Sequence, residues 1–141
     1  MMSRRKRTSK TLLVCLVVIL SVASPATASL WKMPLAGVII FNRLPYTSSD
    51  ELKVHCRSKD NDLGLQKIPK GTDYSWRFSL HLLGRTLYFC SFDWGSKHMV
   101  FDVYTEPFAK FNCRNTGAFG CAWIVRKDGF YLSNGLKIHS W

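Results

Sequence analysis

Apolar and polar residues alternate along several short segments of the chain. In the segment 52–57, Leu52, Val54 and Cys56 are separated by charged or polar residues. This period of two residues is typical of a β-strand with one face in the core and the other in solvent. Similar alternation, or a short β-branched apolar run, marks the segments that we predict to be strands: 38–41, 52–57, 76–80, 86–92, 98–104, 121–125, 130–132 and 136–138.

Turn-forming residues separate these segments. Asp128-Gly129 and Asn134-Gly135 are typical of tight hairpin turns, because both dipeptides favour positive φ angles. No segment shows a persuasive helical period, and 105–120 is the longest stretch that we expect to be irregular. The pattern therefore predicts an all-β fold, a small antiparallel β-sandwich.

The first 28 residues have the three-part layout of a secretory signal peptide. A basic start at residues 4–10 precedes the apolar run 12–23, and small residues at 26–28 fit a cleavage site. The apolar run is shorter than the roughly 20 residues that span a bilayer. An uncleaved anchor is the alternative. We expect cleavage after Ala28, a single domain at residues 29–141, and a secreted, extracellular protein.

The cysteine count fits an oxidising compartment. The chain has five cysteines, and Cys15 lies in the predicted signal peptide. An even number then remains, which predicts two disulfides in a small exported domain. Four cysteines allow three pairings. We predict Cys56–Cys121 and Cys90–Cys113, because Cys56 and Cys121 each lie in a strand with apolar neighbours on the same face. Cys90 would then tie a strand to the long irregular stretch.

The chain is basic, with 20 Lys and Arg against nine Asp and Glu and a net charge of +11. Five of those basic residues lie in the predicted signal peptide, which leaves +6. The remaining basic residues are scattered. They indicate solubility and attraction to an acidic extracellular surface rather than a nucleic-acid partner. We expect no stable membrane insertion of the mature chain, and a monomer.

Candidate catalytic residues are few. A ribonuclease uses one imidazole as base and another as acid, and the chain has four histidines: His55, His81, His98 and His139. None lies in a recognisable catalytic motif, so ordinary surface positions are the simpler interpretation. No G-x-S-x-G sequence and no C-x-x-C pair occurs, so neither a serine hydrolase nor a zinc site is predicted.

Two carboxylates raise the question of a metal. Asp60 and Asp62 precede Gly64 as in a calcium loop, but Gly71 stands where the last acidic ligand would be required. We interpret residues 58–64 as a polar turn whose side chains bind their own backbone. No metal and no cofactor are expected.

Several motifs, in this order, resemble the plant self-incompatibility protein family, the stigma S-proteins and their homologues. The most specific is His55–Gly64, HCRSKDNDLG, followed by Cys121-Ala122-Trp123. The resemblance runs from about Val38 to Tyr131. Its other matching parts are the segments 38–44, 52–54, 76–78, 86–90, 101–104 and 129–131, together with Cys113.

This resemblance implies a small secreted β-sandwich with two disulfides and no catalytic activity. The founding members look like signals that the stigma secretes and that act on incompatible pollen through a receptor on the pollen surface. Loops between strands are thought to carry recognition in that family, which here implies the following residues: Lys59, Asp60, Asn61, Asp62, Asp93, Trp94 and Lys97.

The leading hypothesis is therefore a non-enzymatic ligand of a cell-surface receptor, acting in plant cell–cell communication or pollen rejection. A secreted hydrolase such as a ribonuclease, or a cationic defence protein, is the alternative.

Overall fold

A computed structural model describes residues 35–113 and 120–141. The predicted signal peptide at residues 1–28, and the first residues of the predicted mature domain, lie outside this part of the chain.

The described residues form nine strands and one short helix. They are β1 Leu35–Asn42, β2 Leu52–Arg57, β3 Asp62–Ile68, β4 Asp73–Ser79, β5 Leu87–Trp94, β6 Lys97–Thr105, α1 Glu106–Asn112, β7 Gly120–Arg126, β8 Gly129–Leu132 and β9 Lys137–His139. One sheet has the order β4-β1-β7-β8-β9 and the other β3-β2-β5-β6. The all-β prediction is confirmed.

The apolar faces of the two sheets form one core. In β1 and in β5, every second side chain is buried, as the alternation in the sequence predicts. Contacts between aromatic rings join the sheets. The ring centroids of Phe92 in β5 and Phe130 in β8 are 4.8 Å apart, and those of Phe101 in β6 and Trp123 in β7 are 5.0 Å apart. The strands are thus fixed in place by packing between the sheets.

The sequence did not predict the parallel pairing of β1 and β7. Gly37 lies beside Gly120 and Asn42 beside Val125, so the two strands run in the same direction, whereas the prediction was an antiparallel sandwich. A parallel pair needs a crossover connection. Here the chain leaves β1, forms β2 and β3 in the second sheet and β4 in the first, and then forms β5, β6 and α1 before it enters β7.

The helix α1 lies in the stretch predicted to be irregular. The Thr105 hydroxyl accepts a hydrogen bond from the Phe108 N–H at 3.2 Å, which caps the helix, and Pro107 stands in its first turn. A capping threonine followed by an acidic residue and a proline is a recognised start signal. The helix is too short to show a period, which is why the apolar pattern missed it.

The strand β3 was also missed. The polar turn predicted at 58–64 is confined to 58–61, where the Ser58 N–H donates to the Asn61 carbonyl at 2.8 Å, and the strand begins at Asp62. Its Gly64 adopts φ +73° and its burial does not alternate cleanly. Pairing with β2 therefore imposes a strand that local propensity does not favour.

Both predicted disulfide pairings are wrong. Cys56 is bonded to Cys90, and Cys113 to Cys121. Cys56 and Cys90 lie directly opposite each other on neighbouring strands β2 and β5, with 4.0 Å between their Cα atoms. Cys56 and Cys121 do both face the core, but from different sheets. Burial alone therefore could not identify the partners.

A β-bulge in β6 turns two consecutive side chains toward the core. Tyr88 pairs with Tyr104 but Phe89 pairs with Asp102, so Val103 is the extra residue. As a result Val103 is fully buried and Tyr104 is only 3% exposed.

Candidate recognition surface

The predicted recognition residues lie at opposite ends of one sheet. In the β2–β5 pairing Leu52 stands opposite Trp94, and Arg57 opposite Phe89. The β2–β3 turn, 58–61, therefore follows one end of the sheet and the β5–β6 turn, 95–96, follows the other. The length of β2 separates them by about 17 Å, so the structure does not bring the two predicted groups together.

We call one end of the sandwich the helix end, which comprises the turn 58–61, the loop 80–86 and α1. The opposite end comprises the loop 43–51 and the turns 95–96 and 127–128. At that opposite end the Asp50 carboxylate lies close to Gly95, and Arg43 donates its N–H to the Val125 carbonyl.

At the helix end, the β2–β3 turn is held by its own hydrogen bonds. The backbone carbonyl of Asn61 accepts the Ser58 N–H, and the backbone N–H of Asn61 donates to the Ser58 hydroxyl. The side-chain amide of Asn61 donates to the Tyr88 hydroxyl at 3.5 Å. Lys59 and Asp60, between them, are exposed. Asn61 thus fixes the turn, and its two central residues are presented to solvent.

Asp62, the last residue of this predicted group, has a structural role. Its carboxylate lies 2.5 Å from the His55 Nε2 atom and accepts the Gly64 N–H at 2.9 Å. The bond from His55, and then that from Gly64, hold the pKa of Asp62 below its usual value. Asp62 therefore stabilises the start of β3.

At the opposite end, the predicted residues are largely engaged in the fold. Trp94 is only 8% exposed and its ring lies 5.8 Å from that of Trp141, so it offers little surface to a partner. The Asp93 carboxylate pairs with His98 at 2.6 Å. Lys97 is exposed, but its Nζ donates to the Lys127 carbonyl at 3.4 Å.

Sequence reasoning missed the most exposed apolar side chains of the helix end. Leu82 and Leu83 in the loop 80–86 are 80% and 68% exposed, and Phe111 of α1 is 77% exposed. The available signal was the Leu82-Leu83 pair, which is followed by Gly84, a residue type common in turns. An apolar pair within a turn has no core to face.

The four histidines lie apart. His55 and His98 occupy the outer face of one sheet on β2 and β6, with β5 between them. Strand spacing and rise place their Cα atoms about 12 Å apart, and each ring pairs with an aspartate of its own. His81 lies in the loop 80–86, and His139 lies in β9 of the other sheet, 4.3 Å from the Phe101 ring.

Three further observations on the described part of the chain concern a cavity, metal binding and the membrane. A cavity of about 480 Å³ beside β1 and β4 is lined by side chains that include Ser75, Trp76 and Arg77, but by no histidine. Residues 35–113 and 120–141 contain no cluster of three or more His, Cys, Asp or Glu that could hold a metal ion. Within the same ranges, no helix is long and apolar enough to cross a bilayer.

The sequence from residue 37 to residue 141 matches the family model described as plant self-incompatibility protein S1. The chain belongs to this family. The match contains every strand from β2 to β9, both disulfides and the whole helix end. No solved structure matches.

Members of the family in Arabidopsis thaliana are similar over most of the described domain. The "S-protein homolog 6" is 39% identical over 101 residues, which cover 71% of this chain and 68% of the relative. The "S-protein homolog 24" is 34% identical over 101 residues, covering 71% and 64%. The "S-protein homolog 2" is 37% identical over 78 residues, covering 55% and 48%. The matched segments thus span about half to two thirds of these relatives.

Proposed function

We propose that this member of the self-incompatibility family is a secreted, non-enzymatic ligand that binds a protein on the surface of another plant cell. Its family supports such a role, and the basic and apolar pattern of residues 1–28 supports export.

The observation that carries the proposal is the pre-organised turn at the helix end. Asn61 ties the turn to Tyr88, whose ring lies 4.6 Å from that of Phe78 in the core. The disulfide Cys56–Cys90 joins the two strands next to that turn. A turn that is already ordered loses less conformational entropy on binding, so more of the contact energy appears as affinity.

Lys59 and Asp60 are the proposed contact residues. Both are exposed, whereas the bonds that hold the turn are made by Ser58 and Asn61. Substitutions at 59 and 60 can therefore change what the surface recognises without unfolding the turn. Two adjacent opposite charges also favour a partner with complementary charges, which gives specificity.

The positions of the histidines support the non-enzymatic part of the proposal. Acid–base cleavage of RNA needs two imidazoles within reach of one substrate. Strand geometry places the Cα atoms of His55 and His98 about 12 Å apart. Their rings pair with Asp62 and Asp93 on the outer face of the sheet.

The test is binding of the labelled protein to intact plant cells, pollen included. The charge exchange K59E/D60K keeps the net charge and is expected to weaken saturable binding about tenfold, which corresponds to roughly 1.4 kcal/mol. The matched control, K70E/D73K, makes the same exchange beside the β3–β4 turn, which follows Ile68 opposite Leu52 at the other end of the sheet, and it should bind like the wild type. Protease treatment of the cells should abolish the binding.

Two outcomes would overturn the proposal. One is the lack of saturable, protease-sensitive binding to every plant cell type tried. The other is turnover of RNA by the purified protein that disappears on His55→Ala.

A further inference from the structure

The helix end exposes apolar side chains that the recognition turn does not use. Leu82 and Leu83 are 80% and 68% exposed, and Phe111 is 77% exposed. Isolated exposed apolar residues are common, but two consecutive leucines at one turn form an apolar patch that water solvates poorly.

The loop that carries the two leucines is a built turn. The Gly84 N–H donates to the His81 carbonyl at 3.0 Å, and this bond places Leu82 and Leu83 at the two central positions of the turn. Gly84 adopts φ +65°, as the last position of such a turn allows. The Leu83 N–H also donates to the His81 ring at 3.2 Å. The leucines are therefore presented at a fixed tip.

This tip is attached to the helix. The Thr86 hydroxyl accepts the His81 N–H at 2.7 Å, and the Thr86 N–H donates to the Glu106 carboxylate at 3.4 Å. That carboxylate also approaches Gly84. Glu106 begins α1, which carries Phe111, so the loop and the helix form one unit.

The charges around the unit are mainly positive. Arg85 follows the turn and Lys110 precedes Phe111, and both are exposed. Glu106, the acidic residue of the two segments, is engaged with the backbone of Thr86. Apolar side chains at a tip with cations behind them match the interface of a bilayer that contains anionic lipid.

We propose that Leu82 and Leu83 insert into the interfacial region of an anionic phospholipid bilayer, while Arg85 and Lys110 contact its headgroups. The leucines stand on a turn tip, which suits entry into a fluid surface. The contact is peripheral and reversible, because two side chains bury little area in the lipid. It concentrates the protein at a cell surface, and it does not depend on the proposed protein receptor.

The test is co-sedimentation of the oxidised protein with protein-free vesicles of phosphatidylcholine and phosphatidylserine, with pure phosphatidylcholine vesicles beside them. We expect binding to the anionic vesicles that weakens with salt. The variant L82S/L83S should bind at least about tenfold more weakly, because each leucine loses its apolar contact. Leu65→Ser is the matched control: Leu65 is 58% exposed on β3, and its loss should leave binding unchanged.

The proposal is overturned if the wild type fails to sediment with anionic vesicles, or if L82S/L83S binds them like the wild type. Loss of cell binding in L82S/L83S without vesicle binding by the wild type would assign the leucines to a protein partner instead. Because the vesicles hold no protein, these outcomes are separate from those of the receptor test. Unchanged thermal unfolding of each variant shows that the fold is kept.

Discussion

Trp123 donates its indole N–H to the carbonyl oxygen of Val103 at 2.9 Å, and this bond joins the two sheets at the bulge in β6. Trp123 belongs to β7 of one sheet and Val103 to β6 of the other. The Trp123 ring also stacks on Phe108 of α1, with 5.7 Å between centroids and 4° between planes. One fully buried side chain therefore contacts both sheets and the helix.

We expect Trp123→Phe to lower the free energy of unfolding by about 2–4 kcal/mol, because the Val103 carbonyl loses its donor and the smaller ring leaves a cavity. Urea unfolding measures the loss. Trp141→Phe is the control, since the half-buried Trp141 donates its indole N–H to the Arg126 carbonyl at 2.8 Å in a bond that solvent reaches, and it should cost about 1 kcal/mol. Equal losses in the two variants would contradict the structural role given to Trp123.

Asn42 is the buried polar side chain of the core. Its amide donates to the Ile68 carbonyl at 2.7 Å and its side-chain oxygen accepts the Leu44 N–H at 3.0 Å. Asn42→Leu would leave both backbone groups without these partners, and we expect a loss of about 2–5 kcal/mol in urea unfolding. In Asn134→Leu, the exposed Asn134 loses a bond to Leu136, and the loss should stay below about 1 kcal/mol.

Asn42→Asp adds a pH signature. A buried carboxyl resists ionisation, so the folded variant binds more protons than the unfolded chain, and its stability falls as pH rises from the unfolded pKa of an aspartate through the raised folded pKa. The difference in unfolding free energy between the wild type and Asn42→Asp should therefore be larger at neutral pH than in mild acid. A difference that does not change with pH would contradict the burial of this side chain.

Burial lowers the pKa of His139 from its usual value of 6.5. The unfolded chain then takes up the proton first as pH falls, so the stabilisation by neutral His139 is complete above pH 6.5 and is lost as pH drops through the lower, folded pKa. The Tm should fall less between neutral and mildly acidic pH in His139→Gln than in the wild type. An NMR titration midpoint of His139 at or above 6.5 would disprove this.

The two disulfides should contribute unequally. Cys56–Cys90 joins residues 34 apart and Cys113–Cys121 residues eight apart. The chain-entropy model then assigns about 4 kcal/mol to the first and about 2.5 kcal/mol to the second. We expect C56A/C90A to lower the urea midpoint more than C113A/C121A. The reverse order would show that the short loop controls stability, and non-reducing peptide mapping of the wild type verifies the pairings directly.

The alternation of apolar and polar residues predicts a strand correctly where one face of the strand is buried and the other is exposed. The segment 52–57 is such a case, and its predicted bounds are those of β2. Prediction fails where the cause lies elsewhere in the chain: β3 is a strand because β2 lies beside it, and Cys56 meets Cys90 because the β2–β5 register places them opposite each other. No local pattern encodes such a register.

The candidate site likewise has a part that the sequence predicted and a part that it did not. The motif at 58–64 predicted a turn, which the structure confines to 58–61, and Lys59 and Asp60 are exposed there. The separation of that turn from Asp93 and Lys97 depends on sheet topology and could not be read from the sequence. Tryptophan is a residue type that often makes contacts with partners. Trp94, however, is packed against Trp141, because the alternation of side chains along its strand directs it inward.

The parallel pairing of β1 with β7 sets an order on biosynthesis. When the ribosome has made residues 1–119, β1 has been synthesised. The strand β7, which lies between β1 and β8 in the sheet, has not. By then Cys56, Cys90 and Cys113 have all been made, whereas Cys121 has not. The bond between Cys56 and Cys90 can therefore close on the nascent chain before Cys121, the partner of Cys113, has been made.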